Sequence, residues 1–198
     1  VIDTPDKENA MLFARVDLPA SLTDSDMPAL ITADWIIGGS DGLSNRIVNR
    51  LRQKEGLSYG AGSGITLPSF GNRAKWSVGA IVAPQNLAQA EKSLRDELAR
   101  AYRDGITEEE LAEAKRGIIQ SRAVNRAQDG LIASNWVNNL ELGKTWQFSK
   151  ATEEAVMKLT VDDVNKALRR FCDPDKLTFA LAGDLKKAQA AGKDFSKQ

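Results

Sequence analysis

Apolar and polar residues alternate one by one along four stretches of the chain, which is the spacing of half-buried strands. The predicted strands span 9–18, 58–67, 74–83 and 177–182. Elsewhere apolar residues recur every three or four positions, which predicts helices over 28–37, 45–55, 86–103, 107–127, 131–142, 148–159 and 161–171. Because the strands are segregated from a long helical block, the sequence predicts an α+β fold. We expect a two-layer sandwich, with a mainly antiparallel sheet packed against a helical layer.

The same pattern sets the domain limits. Residues 1–8 are polar and contain Pro5, so we expect a linker or lead-in there. Residues 9–184 form the predicted domain, and residues 185–198 form a polar tail that we expect to be frayed.

Residue types suited to helix ends support the predicted helices. Thr107 and Glu110 have the spacing of a capping box, and Thr160 with Asp163 resembles a second cap. Glycines suited to end a helix follow two of the helical stretches, at Gly105 and Gly143.

Three further residues are predicted to lie in the interior. Trp136 and Leu140 share one face of the helix over 131–142, and we expect both to point inward. Cys172, the one cysteine, follows an apolar helix end. A buried structural thiol is its expected role, because the chain has no histidine that could activate it as a nucleophile.

The stretch from 44 to 59 is a predicted helix that ends at a glycine and turns at once into a strand. Ser44 is the expected N-cap, and Gly56 suits the left-handed conformation that ends a helix. This junction places Arg52, on the last helical turn, close to Tyr59 at the start of the strand. Two donors can then converge on one acceptor. On spacing alone, a solvated arginine and a half-buried tyrosine are the favoured interpretation.

Composition excludes several kinds of site. With no histidine, the chain cannot carry a His-x-x-Glu-His zinc motif, a Ser-His-Asp triad or a Cys-His pair. Twenty-seven basic residues balance 27 acidic ones, which gives no electrostatic argument for nucleic acid or an anionic membrane. No apolar run is long enough for a transmembrane span. We therefore expect no catalytic residue and no metal ligand in this chain alone.

The motifs Gly38-Gly39, Ser44-Asn45-Arg46-Ile47 and Leu51 to Tyr59 resemble the second, non-zinc half of the pitrilysin/insulinase family of zinc peptidases. The resemblance implies a divided active site, in which a homologous partner domain holds zinc and this chain binds the substrate peptide through Arg52 and Tyr59. The chain would be inactive alone. The family's glycine-rich loop suggests a substrate contact at Gly38, Gly39 and Gly42, but a flexible helix–helix connector is the preferred interpretation.

Alternative functions remain open beside substrate binding. The family also includes structural subunits, such as the core subunits of the mitochondrial cytochrome bc complex, so a catalytically inert structural or assembly subunit is the alternative. A module that only presents peptides to a separate catalytic chain is a second one. The zinc-bearing domain could lie upstream in the same parent chain or in another subunit. Bacterial relatives are often exported, which makes the periplasm the expected compartment.

Overall fold

The computed structural model describes residues 1–39, 44–68 and 70–189. Within these ranges five strands form one sheet in the order β1-β5-β2-β4-β3. The strands are β1 (Ile2–Asp3), β2 (Ala10–Leu18), β3 (Ser58–Thr66), β4 (Ala74–Val82) and β5 (Thr178–Gly183). Strand β1 pairs in parallel with β5, and the other pairs are antiparallel. The predicted mainly antiparallel sheet is confirmed.

The helices follow the predicted order, with two π-helical segments that the sequence pattern did not predict. The α-helices are α1 (Met27–Asp34), α2 (Arg46–Val48), α3 (Leu87–Asp104), α4 (Glu108–Asn125), α5 (Asp129–Glu141), α6 (Trp146–Lys158), α7 (Val161–Phe171) and α8 (Leu185–Gln189). The first π-helical segment (Trp35–Gly39) continues α1, and the second (Asn49–Lys54) continues α2. Single turns of 3₁₀-helix lie at Pro84–Asn86 and Pro174–Lys176.

One face of the sheet carries the core. Side chains that alternate along β2 and β4 are buried against the helices, among them Leu12, Ala14, Trp76 and Val78. The residues between them point to the opposite face, where Met11, Phe13 and Ile81 are exposed. The predicted two-layer arrangement, one sheet and one helical layer, is therefore confirmed.

Two helix starts and two helix ends that were predicted from neighbouring capping residues are present in the structure. Thr107 and Glu110 form a complete capping box at the start of α4, and Thr160 and Asp163 form another at the start of α7. Two glycines with positive φ follow α3 and α5, Gly105 (78°) and Gly143 (63°). The helix stops predicted there are correct.

Both ends of the described chain contain structure beyond the predicted lead-in and frayed tail. Residues 1–8 include β1, in which Ile2 pairs with Ala182. The tail includes α8, and the backbone N–H of Asp6 donates to the Asp184 side chain over 3.2 Å. Residues 190–198 lie outside the described ranges.

The inward placement of Trp136 and Leu140 is wrong. Trp136 is 39% exposed and Leu140 is 61% exposed. Helical periodicity identifies an apolar face, but it does not show whether another element covers that face.

Among the helices of the described residues, none has both the length and the apolar character needed to cross a membrane.

Candidate functional site

Arg52 and Tyr59 lie side by side at the junction between the second π-helical segment and β3. The Arg52 guanidinium carbon lies 6.0 Å from the centre of the Tyr59 ring. Both side chains are exposed, and Tyr59 exposes 86% of its surface. The proximity predicted from the sequence is therefore present, while a half-buried Tyr59 is not. A charged donor and a phenolic donor face solvent together.

A β-bulge sets the direction of Tyr59. Ser58 pairs with Val82 and Gly60 pairs with Ile81, so Tyr59 is the extra residue on β3. The Ser58 hydroxyl lies 2.8 Å from the carbonyl oxygens of both Gly60 and Ile81, which fastens the bulge to β4. Bulges often re-aim a side chain near functional sites. Sequence analysis missed Ser58, because no local pattern distinguishes a serine that closes a bulge.

The turn beneath the pair is compact. Gly56 has φ of 63°, the left-handed conformation that glycine adopts without a Cβ penalty. The Leu57 N–H donates to the Leu51 carbonyl over 2.8 Å and closes the junction. Leu51 is fully buried, so the helical turn that carries Arg52 is held to the core.

Glu55 ties this junction to α3. Its carboxylate accepts a hydrogen bond from the Ser93 hydroxyl over 2.6 Å and forms an ion pair with Arg50. Burial alone would raise the pKa of the Glu55 carboxyl, but the hydrogen bonds from Ser93 and Arg50 outweigh it and lower that pKa. Glu55 is therefore held in its charged form. It lies between Arg52 and Tyr59 in the sequence.

The start of α2, the helix that leads into this junction, is tied to α4. Arg46 donates to both carboxylate oxygens of Glu110, over 2.6 Å each, and to the Gly105 carbonyl over 2.8 Å. The Arg46 side chain is only 10% exposed. The N-cap is Asn45, whose side chain accepts from the Val48 N–H over 2.8 Å. The predicted cap at Ser44 is wrong, because the asparagine oxygen occupies the capping position.

Gly38 and Gly39 are tightly packed, which contradicts their interpretation as part of a flexible connector. They belong to the first π-helical segment. A Cβ at Gly38 would lie 2.6 Å from the Ser63 backbone nitrogen, and one at Gly39 would lie 2.2 Å from an Asp34 carboxylate oxygen. These glycines allow close approach between backbone and neighbours. Gly42, the third residue of the predicted loop contact, lies outside the described residues.

Asp34 is a buried acid that sequence analysis missed. Its carboxylate accepts hydrogen bonds from the Ser63 hydroxyl over 2.5 Å and from the Trp76 indole over 2.9 Å. Burial raises the pKa of this carboxyl, and the two hydrogen bonds offset the rise only in part. A polar residue inside an apolar helical run was the available signal. The carboxylate links the end of α1 to β3 and β4.

Two glycines of β3, Gly60 next to Tyr59 and Gly64 further along the strand, have no packing partner among the described residues. A Cβ at Gly60 or at Gly64 would meet nothing within 4 Å. By contrast, a Cβ at Gly62 would lie 2.8 Å from the Gly38 carbonyl oxygen, and one at Gly79 would lie 3.2 Å from the Leu12 carbonyl oxygen. Glycine in a strand often marks close approach of another backbone. Space of this kind is open next to Tyr59.

The described residues do not fit a resident metal. Among them no group of three or more His, Cys, Asp or Glu side chains is arranged to hold a metal ion. The one thiol, Cys172, is buried, and burial raises its pKa well above the ordinary value, with the charge of Asp34 adding to the rise. The predicted burial of Cys172 is confirmed.

Comparisons with solved structures show a shared fold. A peptidase M16 inactive domain from Pseudomonas fluorescens superposes with a TM-score of 0.81 at 24% identity, over 92% of this chain and 42% of that one. The inactive peptidase domain of a candidate zinc protease from Bordetella parapertussis gives 0.71 at 18% identity, over 91% of this chain and 94% of that one. A chain of complex III2 from Candida albicans gives 0.73 at 16% identity, over 96% and 48%.

The chain spans less than half the length of the Pseudomonas chain and of a protease from Helicobacter pylori, 42% of each. No curated protein matches the sequence. The sequence model of the peptidase M16 inactive domain matches residues 1–118, which is more than half of the 198 residues. The chain therefore belongs to the family of peptidase M16 inactive domains, as the resemblance to the non-zinc half of a zinc peptidase predicted.

Proposed function

We propose that this chain is the substrate-binding half of a zinc metallopeptidase that cleaves peptides or unfolded proteins. In this proposal Arg52 and Tyr59 hold the substrate, and a homologous partner domain supplies the zinc. The chain itself is inactive. The observation that carries the proposal is the exposed pair of donors, 6.0 Å apart from guanidinium carbon to ring centre, on a junction fixed to the core.

The chemistry of the two side chains suits a peptide. A guanidinium and a phenol both donate hydrogen bonds, and a peptide carbonyl accepts them. When a peptide bond is attacked, negative charge develops on its carbonyl oxygen, and a fixed donor stabilises it. Loss of one such donor typically costs about 2.7–4 kcal/mol of transition-state stabilisation. The anchors at Glu55 and Arg46 support this use, because they hold the donors in place before substrate arrives.

The open space beside Tyr59 supports the same reading. Gly60 and Gly64 leave the open face of β3 without side chains at those positions. An extended peptide can then approach the sheet closely while its carbonyl groups face Arg52 and Tyr59. The uncovered strand surface at Gly60 and Gly64, together with the paired donors, distinguishes this site from an ordinary exposed arginine and tyrosine.

The alternative function is a catalytically inert structural or assembly subunit. The observation that favours it is the similarity to a chain of complex III2, which covers 96% of this chain. An inert subunit has no need for exposed donors at Arg52 and Tyr59. Peptide binding that depends on these residues therefore separates the two functions.

Calorimetric titration of the chain with an unstructured peptide tests the proposal. We expect saturable binding that weakens about tenfold or more in Arg52→Ala, because a charge-assisted hydrogen bond contributes about 1.5–3 kcal/mol. Lys54→Ala is the matched control, an exposed cation two residues away on the same segment. Equal affinity in the wild type and Arg52→Ala, or no binding by either, would favour the inert subunit.

A further inference from the structure

A cleft lies on the helical side of the molecule, between α1 with the loop before it and the helices α4, α5 and α6. Its volume is about 600 Å³, which is within the range of small-ligand sites. Arg122 from α4 and Arg126, the residue that follows α4, line it together with Trp146 from α6. The cleft shares no lining residue with the Arg52–Tyr59 site.

Three charged side chains line this cleft: the cations Arg122 and Arg126, and the acid Asp24, whose carboxylate lies 4.0 Å from Arg170 outside the lining. Arg126 and Glu153 form a short hydrogen-bonded ion pair, whereas the Arg122 guanidinium lies 3.8 Å from the same Glu153 oxygen. One carboxylate thus serves two guanidinium groups. Burial lowers the pKa of Arg122, Glu153 opposes this effect, and the charge of Arg126 adds to it. Within the described residues, Arg122 donates no side-chain hydrogen bond, so its donors are available to an added acceptor.

Helix α5 presents its polar face to the cleft and its apolar face to solvent. Three amides of α5 line the cleft: Asn135, Asn138 and Asn139. Asn139 is the buried residue of the helix, while Val137 is 62% exposed. Surface helices normally turn the apolar stripe inward. The inverted orientation places donor and acceptor groups on the cleft wall.

We propose that this cleft binds a peptide carboxylate. The carboxylate meets the donors of Arg122, because planar guanidinium and carboxylate groups match in a bidentate pair. The asparagine amides of α5 both donate and accept, so they satisfy the N–H and C=O groups of the peptide next to the carboxylate. Trp146, stacked on Trp136 at 5.6 Å between ring centres, offers an apolar wall for an adjoining side chain.

An NMR titration of the ¹⁵N-labelled chain tests this site without any peptidase activity. The probes are tetra-alanine with a free C-terminus, tetra-alanine amide, and a capped Ala-Asp-Ala peptide with no free terminus. We expect saturable shifts of the cleft amides and of the Trp146 indole with the first probe, and none with the amide. The capped aspartyl peptide shows whether a side-chain carboxylate is also accepted.

Variants on α4 and at the first site sharpen the test. We expect Arg122→Gln to weaken binding of free tetra-alanine about tenfold or more, since a charged hydrogen bond is lost. Arg116→Gln, an exposed arginine on the same helix, is the matched control and should bind as the wild type does. Arg52→Ala should also bind normally, so that failure of this cleft and failure of the proposed function are separate results.

Three results with the wild-type chain overturn the proposal. These are absence of saturable shifts with both carboxylate peptides, shifts centred outside the cleft, or equal binding of tetra-alanine and its amide. Equal affinity in the wild type and Arg122→Gln overturns it as well. The comparison between acid and amide probes uses the wild-type chain, so it decides the question even if a variant folds poorly.

Discussion

The Ser93 hydroxyl donates a 2.6 Å hydrogen bond to the Glu55 carboxylate, and this contact fastens the helix–strand junction to α3. Ser93 is 1% exposed, so water has little access to the serine side of the contact. In the sequence of the junction, Arg52 precedes Glu55 and Tyr59 follows it. A partly buried contact thus helps to fix the position of two exposed donors.

Removing this contact should loosen the junction. We expect Ser93→Ala to lower the free energy of unfolding by about 1 kcal/mol, because the partly buried Glu55 carboxylate loses its donor. Urea unfolding at neutral pH measures the loss. Lys92→Ala, at an exposed position of the same helix, is the control and should change stability less. Equal stability of the wild type and Ser93→Ala would show that Glu55 is satisfied by other groups.

The Arg46–Glu110 pair should be the stronger anchor. The Arg46 side chain is 10% exposed, and removal of one partner leaves a charge in a partly buried site. We expect Arg46→Ala or Glu110→Ala to cost about 3–5 kcal/mol in unfolding free energy. The exposed pair of Lys166 and Asp162 on α7 serves as the control, and Lys166→Ala should have little effect. Similar small effects at both pairs would contradict the assigned role of Arg46.

The buried Asp34 predicts a pH dependence. Burial raises the pKa of this carboxyl in the folded state, so the folded protein holds the proton to higher pH than the unfolded chain does. Its contribution to stability is therefore greatest below the unfolded pKa, about 3.9, and falls as pH rises through the folded pKa. Asp34→Asn keeps the shape and an acceptor for Ser63 and Trp76 but cannot ionise.

We expect Asp34→Asn to gain stability relative to the wild type as pH rises from about 4 to 7. Urea unfolding of both proteins across that range gives the difference, in which the common contribution of other acids cancels. A difference that is constant with pH, or that moves in favour of the wild type, would contradict the raised pKa of Asp34.

The two tryptophans in different surroundings should respond differently to truncation. Trp76 is 1% exposed, and Trp76→Ala should cost about 3–5 kcal/mol. Trp136 is 39% exposed on α5, and Trp136→Ala should cost less than about 1.5 kcal/mol. Thermal unfolding of the two variants makes the comparison. Equal losses would mean that α5 packs more tightly against the domain than its exposed apolar face indicates.

Sequence patterns predicted those helices and strands that are specified by residues close together in the chain. Alternation along β2 and β4 gave the buried face, and the pair Thr107 and Glu110 gave the start of α4, because both partners lie within one turn. Strand β1 was missed because two residues show no period, and its partner β5 lies about 180 residues away along the chain. The π-helical segments were missed because the apolar spacing resembles that of an α-helix.

The candidate site was predicted only in part. The glycine at 56 and the change from helical to strand spacing placed Arg52 near Tyr59, which is a local inference. The bulge at Ser58 and the packing of Gly38 against Ser63 depend on contacts between separate elements. Such contacts leave no period in the sequence. The role of the pair in binding peptides came from the family resemblance and stays a proposal.

Turnover of a quenched, unstructured peptide tests whether Arg52 and Tyr59 serve a zinc site on a partner domain. The chain is assayed alone and then mixed with the zinc-bearing domain of its family partner, using the wild type, Arg52→Ala, Tyr59→Phe and the Lys54→Ala control. We predict turnover only in the mixture. Arg52→Ala and Tyr59→Phe should each lower it about a hundredfold or more, and Lys54→Ala should leave it unchanged. Full turnover by both site variants in the mixture would contradict this prediction.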